Sequence, residues 1–224
     1  MQNAKTPQNG IRAVIFDFGD VYNLSNGPGT VFMRQFGRAE REEKRKLWNA
    51  EVKPLWRRLT KGEITTEEFW ASAGLACGVA VDPAEMNREM VHGQVSERFR
   101  NRGLVEMIIQ LKKRGITTAM LTNNVKGWFD EWKMKDENRE LFDPIIASQE
   151  IGMRKPDEEI YLHTFSVLGL QPQECFFIDD QADNVEAGIR LGMPGFVFPP
   201  KTNVEHANWA LKRKLKELEL LGRG

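Results

Sequence analysis

The chain contains five short apolar runs that are rich in Val, Ile, Phe and Ala and are bounded by turn residues. They lie at residues 11–16, 116–121, 144–148, 175–178 and 195–198. Nearly continuous apolar character predicts strands that are buried on both faces. Helical patterns separate the later four runs, at residues 125–141, 156–168 and 182–191. Because strand and helix alternate, the sequence predicts a parallel sheet.

The interval between the first two strands breaks this alternation. A crossover between parallel strands usually needs about a dozen residues or slightly more, yet here the interval runs from residue 17 to residue 115. Charged helical patterns fill it at residues 38–53, 65–76 and 82–100, and a further helix at 103–114 leads into the second strand. The predicted fold class is therefore α/β, a three-layer Rossmann-like core with a small inserted helical bundle. We expect the core to comprise residues 1–21 and 101–224 and the helical cap to comprise residues 22–100.

Composition narrows the possible partners. Lys plus Arg and Asp plus Glu each number 32, so no net charge favours nucleic acid or an anionic membrane. No apolar run approaches the roughly 20 residues that span a bilayer, and a helix at residues 204–221 is expected to dock on the core.

Cys77 and Cys175 fit neither a metal-ligand spacing nor a redox pair, so we expect reduced, buried thiols and a cytoplasmic protein. The pattern does not indicate an oligomeric state.

Polar residues follow several of the predicted strands directly. Asp17 ends the first strand, Thr122 the second, and Asp179 with Asp180 the fourth. Ligands of open parallel sheets bind beyond the carboxyl ends of the strands, so one pocket could hold all four residues. Carboxylates brought together repel one another unless a hard cation with oxygen ligands joins them, and Mg²⁺ is the cation expected. Taken singly, each aspartate could instead be a helix cap or a turn former.

Two further segments could bind an anion. The Thr122 hydroxyl and the N–H groups behind it, in the segment Thr122-Asn123-Asn124, can hold an anionic oxygen, although a routine turn explains the same residues. Lys155 stands where a loop enters a helix, and it can supply a point charge for a carboxylate and a phosphate together. The alternative interpretation is that Lys155 simply faces solvent. A cation is disfavoured at the start of a helix, however, because the helix dipole has its positive end there.

These residues stand in four ordered motifs. The motifs are Val14-Ile-Phe-Asp17-Phe-Gly19-Asp20-Val21, Leu121-Thr122-Asn123-Asn124, Arg154-Lys155-Pro156-Asp157 and Phe177-Ile178-Asp179-Asp180-Gln-Ala-Asp183-Asn184. The chain thereby resembles the phosphatase branch of the haloacid dehalogenase superfamily, and its helical insert resembles that family's first-type cap. Residues 61–70 resemble cap sequences of sugar-phosphate and epoxide-hydrolase-linked phosphatases, and residues 148–156 resemble the glucose-1-phosphate phosphatase group.

The resemblance implies a role for each matching residue. Asp17 would be the nucleophile that forms an aspartyl phosphate, and Lys155 would offset negative charge on Asp17 and on the transferring group. Thr122 and the start of the Asn123 segment would hold phosphate oxygens. The remaining implied residues belong to the Mg²⁺ site: Asp17, the backbone carbonyl of Gly19, Asp180, and Asp179 directly or through water, with Asn184 steadying the loop behind them.

The chain departs from the family pattern at Gly19. Many phosphatases of this family have a second aspartate there, which protonates the leaving group and then activates water. Proton transfer of this kind contributes about 10²- to 10⁴-fold in rate, so its loss predicts slow turnover or a substrate with a good leaving group. Asp20 is a possible substitute, although aspartate at this position also suits a left-handed turn.

The sequence therefore predicts a Mg²⁺-dependent phosphatase for a small phosphorylated metabolite, with a sugar phosphate as the first hypothesis. One alternative is a metal-independent 2-haloacid dehalogenase, against which the pair Asp179 and Asp180 argues. Another is a non-catalytic binding protein that has lost its acid group. Trp48, Trp56 and Trp70 of the insert could stack on a sugar or base, or could pack the helical bundle.

Overall fold

The computed structural model describes residues 10–199 and 203–222 and has a five-stranded parallel sheet. The strand order is β3-β2-β1-β4-β5, and β1 lies at the centre with β2 and β4 hydrogen-bonded to its two edges. The predicted parallel α/β architecture is confirmed. The strands are β1 (Ala13–Phe16), β2 (Thr117–Thr122), β3 (Ile145–Ala147), β4 (Cys175–Asp179) and β5 (Gly195–Val197).

Helices surround this sheet and fill the long interval after β1. In chain order they are α1 (Pro28–Met33), α2 (Arg41–Leu47), α3 (Lys53–Thr60), α4 (Thr66–Cys77), α5 (Pro83–Val95), α6 (Arg102–Lys113), α7 (Asp130–Met134), α8 (Asp136–Leu141), α9 (Ser148–Ile151), α10 (Glu158–Leu168), α11 (Ala182–Arg190) and α12 (Val204–Glu217). A π-helical turn, Trp48–Val52, joins α2 to α3.

The two faces of the sheet bury separate hydrophobic clusters. Successive side chains of a strand point to opposite faces, so Val14 and Phe16 of β1 pack with α6 and α12, while Ala13 and Ile15 pack with α10 and α11. All of these β1 residues are fully buried. The sheet therefore lies between two layers of helices, as expected. Because β1 is covered on both faces, the residue that follows it, Asp17, lies at the carboxyl end of the sheet.

Three local expectations were wrong in detail. β5 is not buried on both faces, because it is an edge strand, and its three residues are half-buried or exposed. The helix predicted at residues 125–141 is instead the pair α7 and α8, with the chain extended at Lys135 between them. The helix predicted from Pro156 begins at Glu158, after Asp157 in extended conformation.

The helices α1 to α5 share a hydrophobic cluster of their own. Its buried members include Phe32, Phe69 and Trp70, and it also takes in Val125 and Trp128 from the loop after β2. Thr65 begins α4 with a capping box, in which its hydroxyl accepts from the Glu68 N–H and the Glu68 side chain accepts from the Thr65 N–H. These helices match the expected all-helical insert, while its limits at residues 22 and 100 stay a prediction.

The remaining features concern the cysteines and membranes. Cys77 and Cys175 are both buried free thiols, as expected. Within residues 10–199 and 203–222, no helix has the combined length and apolar character needed to cross a membrane.

Candidate active site at the carboxyl edge of the sheet

Asp17 stands at the carboxyl end of the central strand. Its backbone N–H donates to the Ile178 carbonyl at 2.8 Å, which continues the pairing of β1 with β4 one residue further. The residue is 8% exposed, and it lines a cavity of about 510 Å³ that opens between the sheet and the helices α3 and α5. A buried strand thus carries one carboxylate to the base of a cleft.

Lys155 makes the strongest set of contacts in the cleft. Its ammonium group donates to Asp17 Oδ1 and Asp179 Oδ2, both at 2.6 Å, and to the Leu121 carbonyl at 2.7 Å. These three bonds use all three ammonium protons, and the residue is only 1% exposed. Burial alone would lower the pKa of Lys155, but the charges of Asp17 and Asp179 outweigh it and raise the pKa. Lys155 is therefore a fixed positive charge between two carboxylates.

Asn123 holds the backbone of Lys155 in place. Its side-chain Oδ1 accepts from the Lys155 N–H and its Nδ2 donates to the Lys155 carbonyl, each at 2.8 Å. The predicted phosphate contact of this segment would therefore come from its backbone N–H groups, and that contact stays a prediction. The sequence did not reveal the clamp, because residues 123 and 155 lie far apart in the chain.

Asp179 and Asp180 end β4 in different environments. Asp179 is fully buried: its Oδ1 accepts from the Gln181 N–H at 2.8 Å and from Asn184 Nδ2 at 2.9 Å, and its Oδ2 accepts from Lys155. Asp180 is half-buried and accepts from the side-chain amide of Gln181. Asn184 thus lies behind the acidic pair, where it holds Asp179 and stabilises the turn into α11.

The three carboxylates form one cluster. Asp17, Asp179 and Asp180 can each offer one oxygen such that all three atoms lie within 4.8 Å of one another. Burial raises the pKa of Asp17 to about 8, with Asp179 and Asp180 adding to the shift and Lys155 opposing it. Burial and the charge of Asp179 likewise raise the pKa of Asp180 to about 6. A single lysine does not balance three carboxylates, and this all-oxygen donor set suits a hard divalent cation.

The remaining predicted residues line the same cavity. Thr122 ends β2 and is 3% exposed, and Gly19 and Asp20 follow Asp17 along the rim. Asp20 adopts the left-handed conformation, with φ of 56°, and its charge contributes to the raised pKa of Asp180. A Cβ built on Gly19 meets no heavy atom of the described residues within 4 Å. The missing aspartate at position 19 is thus not excluded by space.

The tryptophans of the helical segment divide into two groups. Trp70 is fully buried against Phe32, Phe69 and Trp128, and Trp48 packs against Phe32 and Phe69. These rings pack the helical cluster. Trp56, in contrast, lines the cavity that contains Asp17, and its ring stacks on Trp128 with 6.1 Å between ring centroids.

The basic side of the cavity was not among the features predicted from the sequence. Arg154 and Lys53 line the cavity beside Trp56, and Asp157 accepts from Arg57 at 2.6 and 2.7 Å. The neighbouring Lys61 reaches Asp157 at 2.9 Å. The signal that could have revealed this side is the juxtaposition of two cations in Arg154-Lys155-Pro156: Lys155 turns to the carboxylates, and Arg154 lines the cleft without reaching them.

A family model for haloacid dehalogenase-like hydrolases matches residues 11–192 of the chain. The chain belongs to the haloacid dehalogenase-like hydrolase family. The predicted resemblance to this family is confirmed.

Several curated relatives of this hydrolase are known. Over 81% of its length it is 32% identical to acyl-CoA dehydrogenase family member 10 of Mus musculus, and over 60% it is 31% identical to bifunctional epoxide hydrolase 2 of Mus musculus. The hydrolase matches only 17% and 26% of the lengths of those two proteins. It is also 28% identical, over 82% of its length, to a sesquiterpene phosphatase from Aspergillus oryzae, of which it covers 88%.

Solved structures share the fold of this hydrolase. A haloacid dehalogenase family enzyme from Bacteroides thetaiotaomicron, in complex with magnesium and inorganic phosphate, aligns with a TM-score of 0.65 at 21% identity, covering 88% of this chain and 98% of that one. L-2-haloacid dehalogenase from Xanthobacter autotrophicus, with chloropropionic acid covalently bound, aligns with a TM-score of 0.58 at 18% identity, covering 92% and 83%. Since one fold holds magnesium with phosphate in the first structure and chloropropionic acid in the second, the fold alone does not specify the reaction, which depends on the residues of the site.

Proposed function

We propose that this hydrolase is a Mg²⁺-dependent phosphatase that forms an aspartyl phosphate on Asp17. The observation that carries the proposal is the arrangement at the base of the cleft: three clustered carboxylates and one buried lysine bonded to two of them. The sesquiterpene phosphatase and the family enzyme that binds magnesium and phosphate support the same chemistry by similarity.

The proposed reaction has two displacements. An oxygen of Asp17 attacks phosphorus as the ester oxygen departs, so one P–O bond forms and one breaks. Water then attacks the aspartyl phosphate, which releases inorganic phosphate and regenerates Asp17. Lys155 stays bonded to Oδ1 of Asp17, which orients the other oxygen, and its charge offsets that of the transferring group. Thr122 lines the cavity, and its hydroxyl is the proposed donor to a phosphate oxygen.

The proposed metal ligands are Asp17, Asp180 and the backbone carbonyl of Gly19. Both oxygens of Asp179 already accept hydrogen bonds, from Lys155 on one side and from Gln181 and Asn184 on the other. This occupancy favours contact of Asp179 with the ion through water. Bound Mg²⁺ supplies positive charge at the phosphate and reduces repulsion between substrate and carboxylates.

The leaving group receives its proton from a source other than position 19. Asp20 is the proposed substitute, because it is the carboxylate nearest in sequence and lines the same cavity. A good leaving group removes much of the need for that proton. For this reason the proposed substrate is an anomeric sugar phosphate, because its anomeric oxygen is a better leaving group than an ordinary alkoxide. Trp56 is the ring proposed to face the sugar.

Two alternatives make different demands on the cleft. A metal-independent haloacid dehalogenase would place a carboxylate substrate beside Asp17, Asp179 and Asp180, where like charges repel it. A non-catalytic binding protein has no physical need for the costly buried contact of Lys155 with two carboxylates. Both alternatives therefore lack support from the arrangement of charges.

The test is release of inorganic phosphate from 4-nitrophenyl phosphate, which barely needs leaving-group protonation. We expect activity with Mg²⁺, its loss on chelation, its return on adding Mg²⁺, and no measurable activity in Asp17→Asn. Asp136→Asn, at an exposed pair with Arg139, is the matched control and should keep wild-type activity. Activity that survives chelation or Asp17→Asn contradicts the proposal, and chloride release from 2-chloropropionate without metal favours the dehalogenase.

A phosphorylated-metabolite screen tests the substrate class separately. We expect sugar phosphates, and anomeric ones first, to give the highest kcat/KM. A higher value for nucleotides or phosphoserine than for every sugar phosphate would refute the sugar assignment while leaving the phosphatase chemistry intact.

A further inference from the structure

The cavity has a second charged region that the proposed chemistry does not use. It is the basic wall, defined here as Lys53, Arg57 and Lys61 of the segment through α3 together with Arg154 from the loop before α10. Lys53 and Arg154 line the cavity itself, and Arg57 and Lys61 lie behind them on Asp157. Arg57 and Lys61 thus share one carboxylate, while Lys53 and Arg154 form no ion pair within 4 Å among the described residues.

Arg154 is the unusual member of the basic wall. It is half-buried, and its Nε atom is buried without a hydrogen-bond partner. No carboxylate among the described residues forms an ion pair with it within 4 Å: the nearby Asp157 is engaged by Arg57 and Lys61. A buried charged donor without a partner is costly, so the Arg154 guanidinium lacks contacts that would offset its burial, and the part of the side chain that lines the cavity can gain them from an anionic ligand.

The electrostatic surroundings of Arg154 point the same way. Burial lowers its pKa, and the charge of Arg57 lowers it further, against the smaller opposite effect of Asp157. The guanidinium stays charged at any physiological pH, because an arginine pKa lies far above neutrality. An anion placed beside Arg154 would therefore relieve both its desolvation and its repulsion from Arg57.

The proposed reaction does not need the basic wall to bind the reacting phosphate. That phosphate must lie at Asp17, where Lys155 already supplies the protein's cation. Arg154 and Lys155 are neighbours in sequence, yet only Lys155 reaches the carboxylates. The charge that Arg154 can meet is consequently on the part of the substrate that leaves.

We propose that Arg154, with Lys53, binds a second anionic group on the leaving group, so that the substrate is a phosphate monoester that also carries a carboxylate or another phosphate. The inference rests on the proposed phosphatase function and specifies its substrate class. It is compatible with an acidic sugar phosphate or a sugar bisphosphate, and it disfavours esters whose leaving group is neutral or cationic.

The test compares esters that differ only in that second charge. The probes are ethyl phosphate against phosphoglycolate and phenyl phosphate against 4-carboxyphenyl phosphate, two pairs that place the carboxylate at different distances from phosphorus. In at least one pair we expect wild-type kcat/KM to favour the carboxylate by about 10- to 100-fold, the effect of one charge-assisted hydrogen bond. The difference should fall mainly on KM, because the contact exists before and during reaction.

Variants assign the preference to Arg154. Arg154→Gln should reduce the carboxylate preference at least tenfold, Arg154→Lys should restore part of it, and the matched control Arg213→Gln, on α12 beside Trp209, should leave it unaltered. Circular dichroism and thermal unfolding confirm that each variant is folded, and the Lys variant provides the answer if the Gln variant is not.

The outcomes separate the two proposals. Hydrolysis of the esters with Mg²⁺ but equal kcat/KM within both pairs, or a preference that persists in Arg154→Gln, overturns the basic-wall inference alone. Failure to hydrolyse any of the four esters, together with 4-nitrophenyl phosphate, overturns the phosphatase proposal and with it this inference.

Discussion

The acidic base of the cleft and its basic wall differ in how their charges are satisfied. At the base, Lys155 uses every ammonium proton and Asp179 uses both oxygens, so the groups are locked before any ligand arrives. On the wall, Arg57 and Lys61 share Asp157, and Arg154 keeps a buried donor without a partner. One region is preorganised around charged groups of the protein itself, and the other has capacity for charge that a substrate brings.

The difference follows from where the chain places each region. The base is built at the carboxyl ends of β1, β2 and β4, the central strands, whose register fixes Asp17 beside Ile178 and the start of the β4 turn. The wall joins the inserted helix α3 to the loop before α10. The carboxylates proposed for the reaction lie at strand ends, and Lys155 reaches them from the loop before α10. The groups proposed to distinguish substrates lie where that loop meets α3.

Replacement of Lys155 by Met should give the largest effect. The change leaves Asp17 and Asp179 buried without their cation, so we expect kcat/KM on 4-nitrophenyl phosphate to fall by about 10²- to 10³-fold. The free energy of unfolding without metal should fall by about 3–5 kcal/mol, and excess Mg²⁺ should recover part of it. Urea unfolding with and without Mg²⁺ measures this.

The control for that variant is Lys113→Met, at the exposed end of α6. It removes the same charge without touching the base of the cleft and should alter neither quantity by much. If the activity of Lys155→Met is within about threefold of wild type, activity at the base of the cleft does not depend on Lys155. The proposed difference between the base and the basic wall would then be wrong.

Replacement of Gly19 by Asp tests whether a general acid is the only group that is missing at the base of the cleft. The position has room for a Cβ and a non-positive φ, so an aspartate should be accommodated without backbone strain. We expect kcat/KM on esters with poor leaving groups, such as ethyl phosphate, to rise by about 100-fold, the lower part of the range for general acid catalysis. On 4-nitrophenyl phosphate the gain should be small.

Gly19→Ala is the matched control, since it adds the Cβ without the carboxyl group and should give no gain. If Gly19→Asp leaves ethyl phosphate hydrolysis unaltered while Asp20→Asn abolishes it, then Asp20 already provides the proton. If both variants leave it unaltered, the missing acid does not limit the rate.

The affinity for Mg²⁺ should depend on pH, whereas the preference for a carboxylate-bearing ester, which is assigned to the basic wall, should not. Protonated Asp17 and Asp180 cannot ligate a cation, and their raised pKa values of about 8 and about 6 mean that protons compete with Mg²⁺ across this range. Affinity should therefore rise with pH, by up to about tenfold per unit for each proton displaced, and level off above pH 8. Calorimetric titration at pH 5.5, 7 and 8.5 measures it.

The same experiment has an internal comparison. Asp180→Asn should weaken binding and remove the part of the pH dependence near pH 6. The preference for a carboxylate-bearing ester should stay constant from pH 6 to 8, because neither the guanidinium of Arg154 nor that carboxylate titrates there. A preference that follows the Mg²⁺ curve would place the second anion at the base and not on the wall.

Sequence patterns predicted the base of the cleft far better than the wall. A strand that ends in a carboxylate is visible as a local pattern, and parallel pairing brings such ends together, so Asp17, Thr122 and Asp179 could be foreseen. The Asn123 clamp and the Asp157 ion pairs join residues that are distant in the chain, and no periodicity records them. Arg154 was overlooked because its neighbour Lys155 already explained the motif, and only the three-dimensional directions of the two side chains separate their roles.

Replacement of Asp157 by Asn should give the smallest effect and is the most selective test of the wall. It removes the one carboxylate that Arg57 and Lys61 share, so the wall gains net positive charge, and the carboxylate preference should increase by about two- to fivefold. The free energy of unfolding should fall by only about 0.5–1 kcal/mol, because Arg57 is half exposed and solvent screens the pair. Urea unfolding and the ratio of kcat/KM for 4-carboxyphenyl and phenyl phosphate provide the two measurements. Asp136→Asn again serves as control, and a reduced preference in Asp157→Asn would show that Asp157 acts by positioning the cations and not by neutralising them.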